Sequence, residues 1–416
     1  MASFSKRVSI SSAGSRRSAS PMTPFVVAPN PESEEWVRAW ESVLAQDLIE
    51  CPVVEVDAET TVEEACDLLL SQDASCLAVK ASSGPSYVGL FDYADVNAFL
   101  TFAATRHTYT PEHLAEHPRV AQILDAAKAG HVSARLVSNL SEKNPLVELP
   151  HDASIIALLG IFSSGTHRVL IKSPPDAESR YLGIISDRRL LDYFSSFARP
   201  SSSFFRYIST PLSSLPLPSL NLHWEVVAVR SRETVLDAMR SMSELGVSSA
   251  AIVDEDTGSL LSAVSVTDVG KTVVPSQSNQ ILTMPLQQFV TQIKMPHGWT
   301  DGADKYPVYS VFPSSTLAYT IQKLLATNSH RMFVTSESGL SASPSPGIKG
   351  NLSGIVSIGD ILSLFARVAN LPDVDPTRMQ RHRRASSSTS SQSSSSGSFA
   401  DLVRSTSRGS IGHGRV

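Results

Sequence analysis

Gly354-Ile355-Val356-Ser357-Ile358-Gly359-Asp360 reads as a short apolar strand that stops at a hydroxyl residue and turns into a helix with a carboxylate in its first turn. β-branched residues suit a strand, and a hydroxyl followed three residues on by an acid suits a helix N-terminus. The phrase returns as Gly89-Leu90-Phe91-Asp92-Tyr93-Ala94-Asp95 and as Ser262-Ala263-Val264-Ser265-Val266-Thr267-Asp268. A fourth copy, Gly183-Ile184-Ile185-Ser186-Asp187-Arg188-Arg189, puts Arg where the others put Asp.

Working outward, the same elements precede each phrase: an amphipathic helix, then a short apolar strand. In the first copy Thr61-Val62-Glu63-Glu64 is a capping box, and Val62, Ala65, Cys66, Leu69 and Leu70 form one stripe. The second copy has Ile155, Leu158, Leu159 and Phe162 on its helix and strands at Arg168–Ile171 and Tyr181–Ile185. The third opens on Thr234-Val235-Leu236-Asp237, with Val235, Ala238, Met239 and Met242 on the stripe. The fourth has Leu317, Ile321, Leu324 and Leu325, then a strand at Met332–Thr335. One such stripe shows only core packing; four copies in β-α-β-β-α order define a repeat. Each repeat covers about half of its own apolar face, so two should pack together by pseudo-twofold symmetry.

The signature strand and turn resemble CBS domains, matched in full by Gly354 to Asp360 and in part elsewhere, with Asp92 in place of the hydroxyl and Ser262 in place of the glycine. The resemblance implies an α/β (α+β) fold of four CBS repeats, packed as two tandem CBS-pair modules in a disk-like arrangement. The expected division is a disordered tail over 1–31, repeats over 36–103, 134–199, 222–274 and 307–371, and a basic, Ser-rich disordered tail over 372–416. A helical connector over 104–133, a Pro/Ser linker over 200–221 and a connector over 275–306 join them.

More narrowly, the set resembles the gamma subunit of AMP-activated protein kinase, whose second repeat carries Arg, as Arg189 here, in place of a ribose-binding Asp. His167-Arg168 and His330-Arg331 match the His-Arg pairs of that subunit's second and fourth repeats. The flanks, from Trp36 to Leu48 and from Leu364 to Arg384, resemble the fungal Sds-twenty-three (Moc) family. Membership implies a cytoplasmic and nuclear regulator of stress response, mitotic entry and cell separation that restrains a type 2A-like phosphatase.

Asp95, Asp268 and Asp360, helped by Ser265 and Ser357, can accept bonds from a ribose diol; equally, each can be a plain helix cap. Arg189 has no acceptor, so the second repeat should hold no nucleoside. Arg188, Arg189, Arg168, Arg331, His167 and His330 can donate to phosphates of AMP, ADP or ATP, although either His can also be an ordinary surface or core histidine. No P-loop, Gly-x-Ser-x-Gly or His-Glu-x-x-His motif occurs, so no enzyme activity and no catalytic cofactor are expected.

Charge and composition bound the rest. The chain of 416 residues is −5 overall; residues 1–31 and 372–416 are each +4, which leaves −13 on the core and argues against nucleic acid binding there. Cys51, Cys66 and Cys76 lack metal-ligand spacing, so neither a metal site nor a disulfide is expected. No apolar run reaches the roughly 18 residues that span a bilayer, and no secretory signal is read at the N-terminus. Ser20 and Ser386 follow basic residues and are candidate phosphorylation sites, or lie in inert solvated tails. Three readings remain: a nucleotide-responsive regulator of a phosphatase, a ligand-independent interaction scaffold, and a gamma-type subunit of a protein kinase complex.

Overall fold

Thr61 accepts a hydrogen bond from the Glu64 backbone N–H while Glu64 reaches back to the Thr61 N–H, and this reciprocal cap starts the first repeat helix. The computed structural model that contains it describes residues 30–374 apart from 83, 85, 107–113, 116–117, 222–225, 277–278, 295–308, 337–350 and 373. Ser20 and Ser386 lie outside the described residues.

Four three-stranded sheets share one plan. In the first, β1 (Glu55–Asp57) pairs in parallel with β2 (Cys76–Lys80), which pairs antiparallel with β3 (Tyr87–Asp92). The others are β4 (Glu148–Pro150), β5 (Arg168–Lys172) and β6 (Tyr181–Ser186); β7 (Ala228–Arg230), β8 (Ser249–Val253) and β9 (Leu260–Ser265); and β10 (Ser310–Val311), β11 (Arg331–Thr335) and β12 (Leu352–Ser357). A parallel pair needs a crossover, which the first helix of each repeat supplies. The register shifts at the same place in all four hairpins, before the last residue of the middle strand.

The helices in chain order are α1 (Pro31–Glu41), α2 (Val62–Ser71), α3 (Tyr93–Thr105), α4 (Pro118–Lys128), α5 (Ala134–Val137), α6 (Ile155–Phe162), α7 (Asp187–Phe197) and α8 (Ser202–Ile208). Next come α9 (Val235–Leu245), α10 (Val266–Ser276), α11 (Asn279–Leu282), α12 (Leu286–Lys294), α13 (Leu317–Ala326) and α14 (Ile358–Val368). The larger cores join repeats across the two halves. Helices of repeats one and three bury Phe102, Val235, Met239 and Phe289 together, while those of two and four bury Phe194, Leu317, Leu324 and Phe365. Within each half the sheets meet instead: Leu90, Leu170 and Ile184 join repeats one and two, and Ala251, Phe333 and Ile355 join three and four. Among the described helices none is long and apolar enough to cross a membrane.

The stretch before each repeat does not pack on that repeat. Leu44 bridges Ser154 and Cys51 bridges Ile184, so residues 44–51 complete repeat two; Ser133 bridges Thr61 and completes repeat one. Pro211 likewise bridges Thr316 in repeat four, and Pro285 bridges Thr234 in repeat three. The glycine of the signature strand makes room for this crossing. A Cβ on Gly183 would stand 2.6 Å from the Cys51 carbonyl oxygen, and one on Gly354 2.4 Å from that of Leu220.

These crossings correct the expected division. The span 36–103 is not one packing unit, because Trp36, Trp40 and Leu48 are buried with repeats two and four. The segment 200–221 is no loose linker: it folds into α8 and buries Phe204, Ile208, Leu212 and Leu217. Nor does the N-terminal tail extend to 31, since Asn30 caps a helix that starts at Pro31.

Candidate functional site

The last residue of each signature strand caps the helix that follows. Asp92, Ser186 and Ser357 accept from their N3 backbone N–H, and Ser265 does the same for Asp268. The carboxylates of Asp95, Asp268 and Asp360 each accept back from the cap residue's N–H, so all three serve as helix caps with one oxygen. What the other oxygen meets separates the repeats.

In repeat one it is used up. Asp95 is fully buried; the Ser141 backbone N–H donates to its Oδ1 at 2.8 Å, and the Asn139 N–H adds a 3.2 Å bond to the capping Oδ2. Asn139 sits at φ 50°, a left-handed turn that Asn tolerates, which aims these donors inward. Burial, with the Asp92 charge beside it, pushes the Asp95 carboxyl up to about 7. Asp95 is therefore not open to a ribose, contrary to the expectation.

Arg168 is also taken up inside the protein. Its guanidinium donates to Asp92 at 2.8 Å, to Asn144 at 3.0 Å and to the Ser75 carbonyl at 3.0 Å, crossing from repeat two into repeat one. This corrects its reading as a phosphate ligand. Tyr87 and Tyr181 stack 4.8 Å apart beside the same interface, with their hydroxyls on Glu55 and Glu148. Arg189 pairs with Asp192 one turn along its own helix, and Arg188 donates to Asn328 of repeat four.

Repeats three and four repeat this geometry without the lock. Arg331 is the first residue of β11 as Arg168 is of β5, and Ser265 ends β9 where Asp92 ends β3. Ser265 offers Arg331 no carboxylate. The Arg331 guanidinium makes a long 3.4 Å bond to the Ser248 hydroxyl, leaves its Nε without a partner, and forms no ion pair among the described residues. Burial lowers it to about 10, an effect that the charge of Asp360 opposes. The Ser248 carbonyl in turn accepts from Val266, the first residue of α10, so Arg331 reaches the helix end that carries Asp268. Asp268 is half-buried; Oδ2 accepts from Ser265, and Oδ1 has no hydrogen bond among the described residues. Asp360 is buried against Ser357, and burial pushes its carboxyl up despite the Ser357 and Ser219 hydroxyls.

His167 and His330 converge from repeats two and four, their ring centres 5.2 Å apart. Between them stands Asp187, whose carboxylate lies 2.7 Å from His167 Nδ1 and 3.8 Å from His330 Nδ1. Reading the sequence missed Asp187. It stands one residue after the cap serine of the only repeat that lacks the signature Asp, a displaced acid that could have signalled it.

A model of the family described as "CBS domain" matches residues 222–273, the third repeat. The Aspergillus niger protein sds23 is 31% identical over 410 residues, covering 86% of this chain and 79% of that one. The chain belongs to the Sds23 family. Yarrowia lipolytica SDS23 is 32% identical over 90% of this Sds23-family chain and 76% of its own length. Among solved structures, a Methanocaldococcus jannaschii protein proposed as an archaeal homologue of g-AMPK covers 78% of this chain with a TM-score of 0.53. At 14% identity it shows the fold alone, the four-repeat arrangement described above; the Sds23 relatives and the CBS-domain match make the chain a CBS regulatory protein.

Proposed function

We propose that this protein is a non-enzymatic regulator that takes an adenine nucleotide between repeats three and four and transmits its occupancy to a type 2A-like phosphatase. The observation that carries the ligand part is Arg331, a buried guanidinium with no ion pair among the described residues, reaching the end of α10. An unpaired buried charge is costly, and a phosphate would satisfy it with charge-assisted bonds. Asp268, whose Oδ1 has no hydrogen bond among the described residues, suits a ribose diol. Ser265 and Ser357 cap the helices that carry Asp268 and Asp360.

The phosphatase, the cytoplasmic and nuclear setting and the role in stress response and cell separation are part of this proposal and rest on the resemblance to the Sds23 family. A second reading, a scaffold that works without ligand, draws support from repeat one, where Asp95 and Arg168 serve only the protein itself. Thermal melting of the full chain with AMP, ADP and ATP, followed by phosphatase inhibition assays with and without the nucleotide, separates the two. The regulator melts higher with nucleotide, loses that shift in Asp268→Ala, and inhibits differently when loaded. Inhibition that no nucleotide alters, with no melting shift at millimolar ligand, leaves the scaffold.

A further inference from the structure

His167, Asp187 and His330 place two imidazole nitrogens and a carboxylate oxygen within 4.8 Å of one another, and we propose that they bind one divalent transition-metal ion of the zinc class. The inference uses side chains other than Asp268 and Arg331, on which the nucleotide reading rests.

Zinc takes imidazole and carboxylate ligands at about 2.0–2.2 Å in a near-tetrahedral arrangement, which puts neighbouring ligand atoms slightly more than 3 Å apart. The two separations found, 2.7 Å from Asp187 Oδ2 to His167 Nδ1 and 3.8 Å to His330 Nδ1, bracket that spacing, so small side-chain rotations complete the set. Three elements hold the ligands rigidly. Asp187 opens α7, His167 directly precedes β5, and His330 directly precedes β11. The backbone locks them further: Asp187 N–H donates to the His167 carbonyl, and Ile358 N–H to that of His330.

Further features fit a metal better than a plain hydrogen-bonded contact. His330 Nδ1 is buried and has no hydrogen-bond partner among the described residues, a nitrogen that a simple packing role would leave unsatisfied. Asp187 is 1% exposed, and its second oxygen accepts from the Arg188 N–H at 2.7 Å, the outer-shell support that orients a ligating carboxylate. The Arg188 guanidinium donates to Asn328 and makes no ion pair with Asp187. Both imidazoles are partly exposed, at 27% and 35%, which gives the ion a path in and leaves a fourth position for water or an anion. Because the ligands come from repeats two and four, the ion would tie the two halves of the molecule together.

The test is titration of chelator-treated full-length protein with zinc chloride, read by calorimetry and by melting temperature, with cobalt(II) absorption as a second probe. One equivalent should bind and raise the melting temperature. Affinity should fall about a hundredfold in His330→Ala and in His167→Ala. Cobalt should give ligand-field bands without thiolate charge transfer, a measurement on the wild type that stands even if a variant misfolds. No binding, binding unchanged in both variants, or thiolate bands from Cys51, Cys66 or Cys76 would each overturn the proposal.

Discussion

Arg168 and Arg331 hold the same place, the first residue of the middle strand in repeats two and four, yet Arg168 meets the Asp92 carboxylate at 2.8 Å and Arg331 meets no carboxylate at ion-pair distance among the described residues. The difference traces to one position. Asp92 ends the signature strand of repeat one, and Ser265 ends that of repeat three. The first half of the protein thereby closes on itself, and the second keeps a cation for something else.

The two arginines should therefore respond oppositely to the same substitution. Arg168→Met leaves Asp92 buried without its partner and should cost about 3–5 kcal/mol of stability. Arg331→Met removes an unpaired buried charge, so the ligand-free protein should be as stable as wild type or more so, while nucleotide affinity falls by at least about tenfold, the equivalent of losing one charge-assisted bond. Urea unfolding and calorimetry read both. Equal destabilisation by the two variants would contradict the account.

Ser265→Asp copies repeat one into repeat three. Asp caps a helix as well as Ser does, so α10 should persist, and the new carboxylate should pair with Arg331. The ligand-free melting temperature is expected to rise and nucleotide binding to disappear.

Asp95 supplies a pH signature. Its folded carboxyl is raised to about 7, above the ordinary unfolded value, so the folded protein holds a proton that the unfolded chain has released. Stability should then fall as pH rises from about 4 toward 7 and level off above, because the unfolded state binds fewer protons in that window. Relative to Asp95→Asn, which cannot ionise, the wild type should lose stability between pH 5 and pH 8. Parallel stability profiles for the two would remove Asp95 as the source.

Gly183→Ala and Gly354→Ala should each cost about 1–3 kcal/mol, since the added methyl runs into the backbone of the crossing segment at 2.6 and 2.4 Å. Gly160→Ala is the control. Its Cβ meets only Leu371, at 3.8 Å, inside a helix, and should be neutral or stabilising by about 0.5–1 kcal/mol.

Local chemistry made much of the fold legible. The capping boxes at Thr61 and Thr234 and the buried stripe of α9 stand as the sequence indicates, and that of α2 does so for Val62, Ala65, Cys66 and Leu69, while Leu70 stays only partly buried and Leu68 packs on the core instead. The crossings of 44–51 and 133–139 onto the neighbouring repeat did not follow, because a long-range bridge such as Cys51 to Ile184 leaves no period in either segment. At the site, Asp92 and Ser265 were visible as differences between repeats, but their effect on Arg168 and Arg331 depends on strand register. The backbone donors of Asn139 and Ser141 that fill Asp95 carry no side-chain signature at all.

The most direct test is calorimetric titration of AMP into the full-length wild type, Ser265→Asp and Asp95→Ala proteins. The account predicts one equivalent bound by wild type, none by Ser265→Asp, and wild-type stoichiometry in Asp95→Ala wherever that variant folds. Binding of AMP by Ser265→Asp with wild-type affinity, or a site lost with Asp95, would contradict it.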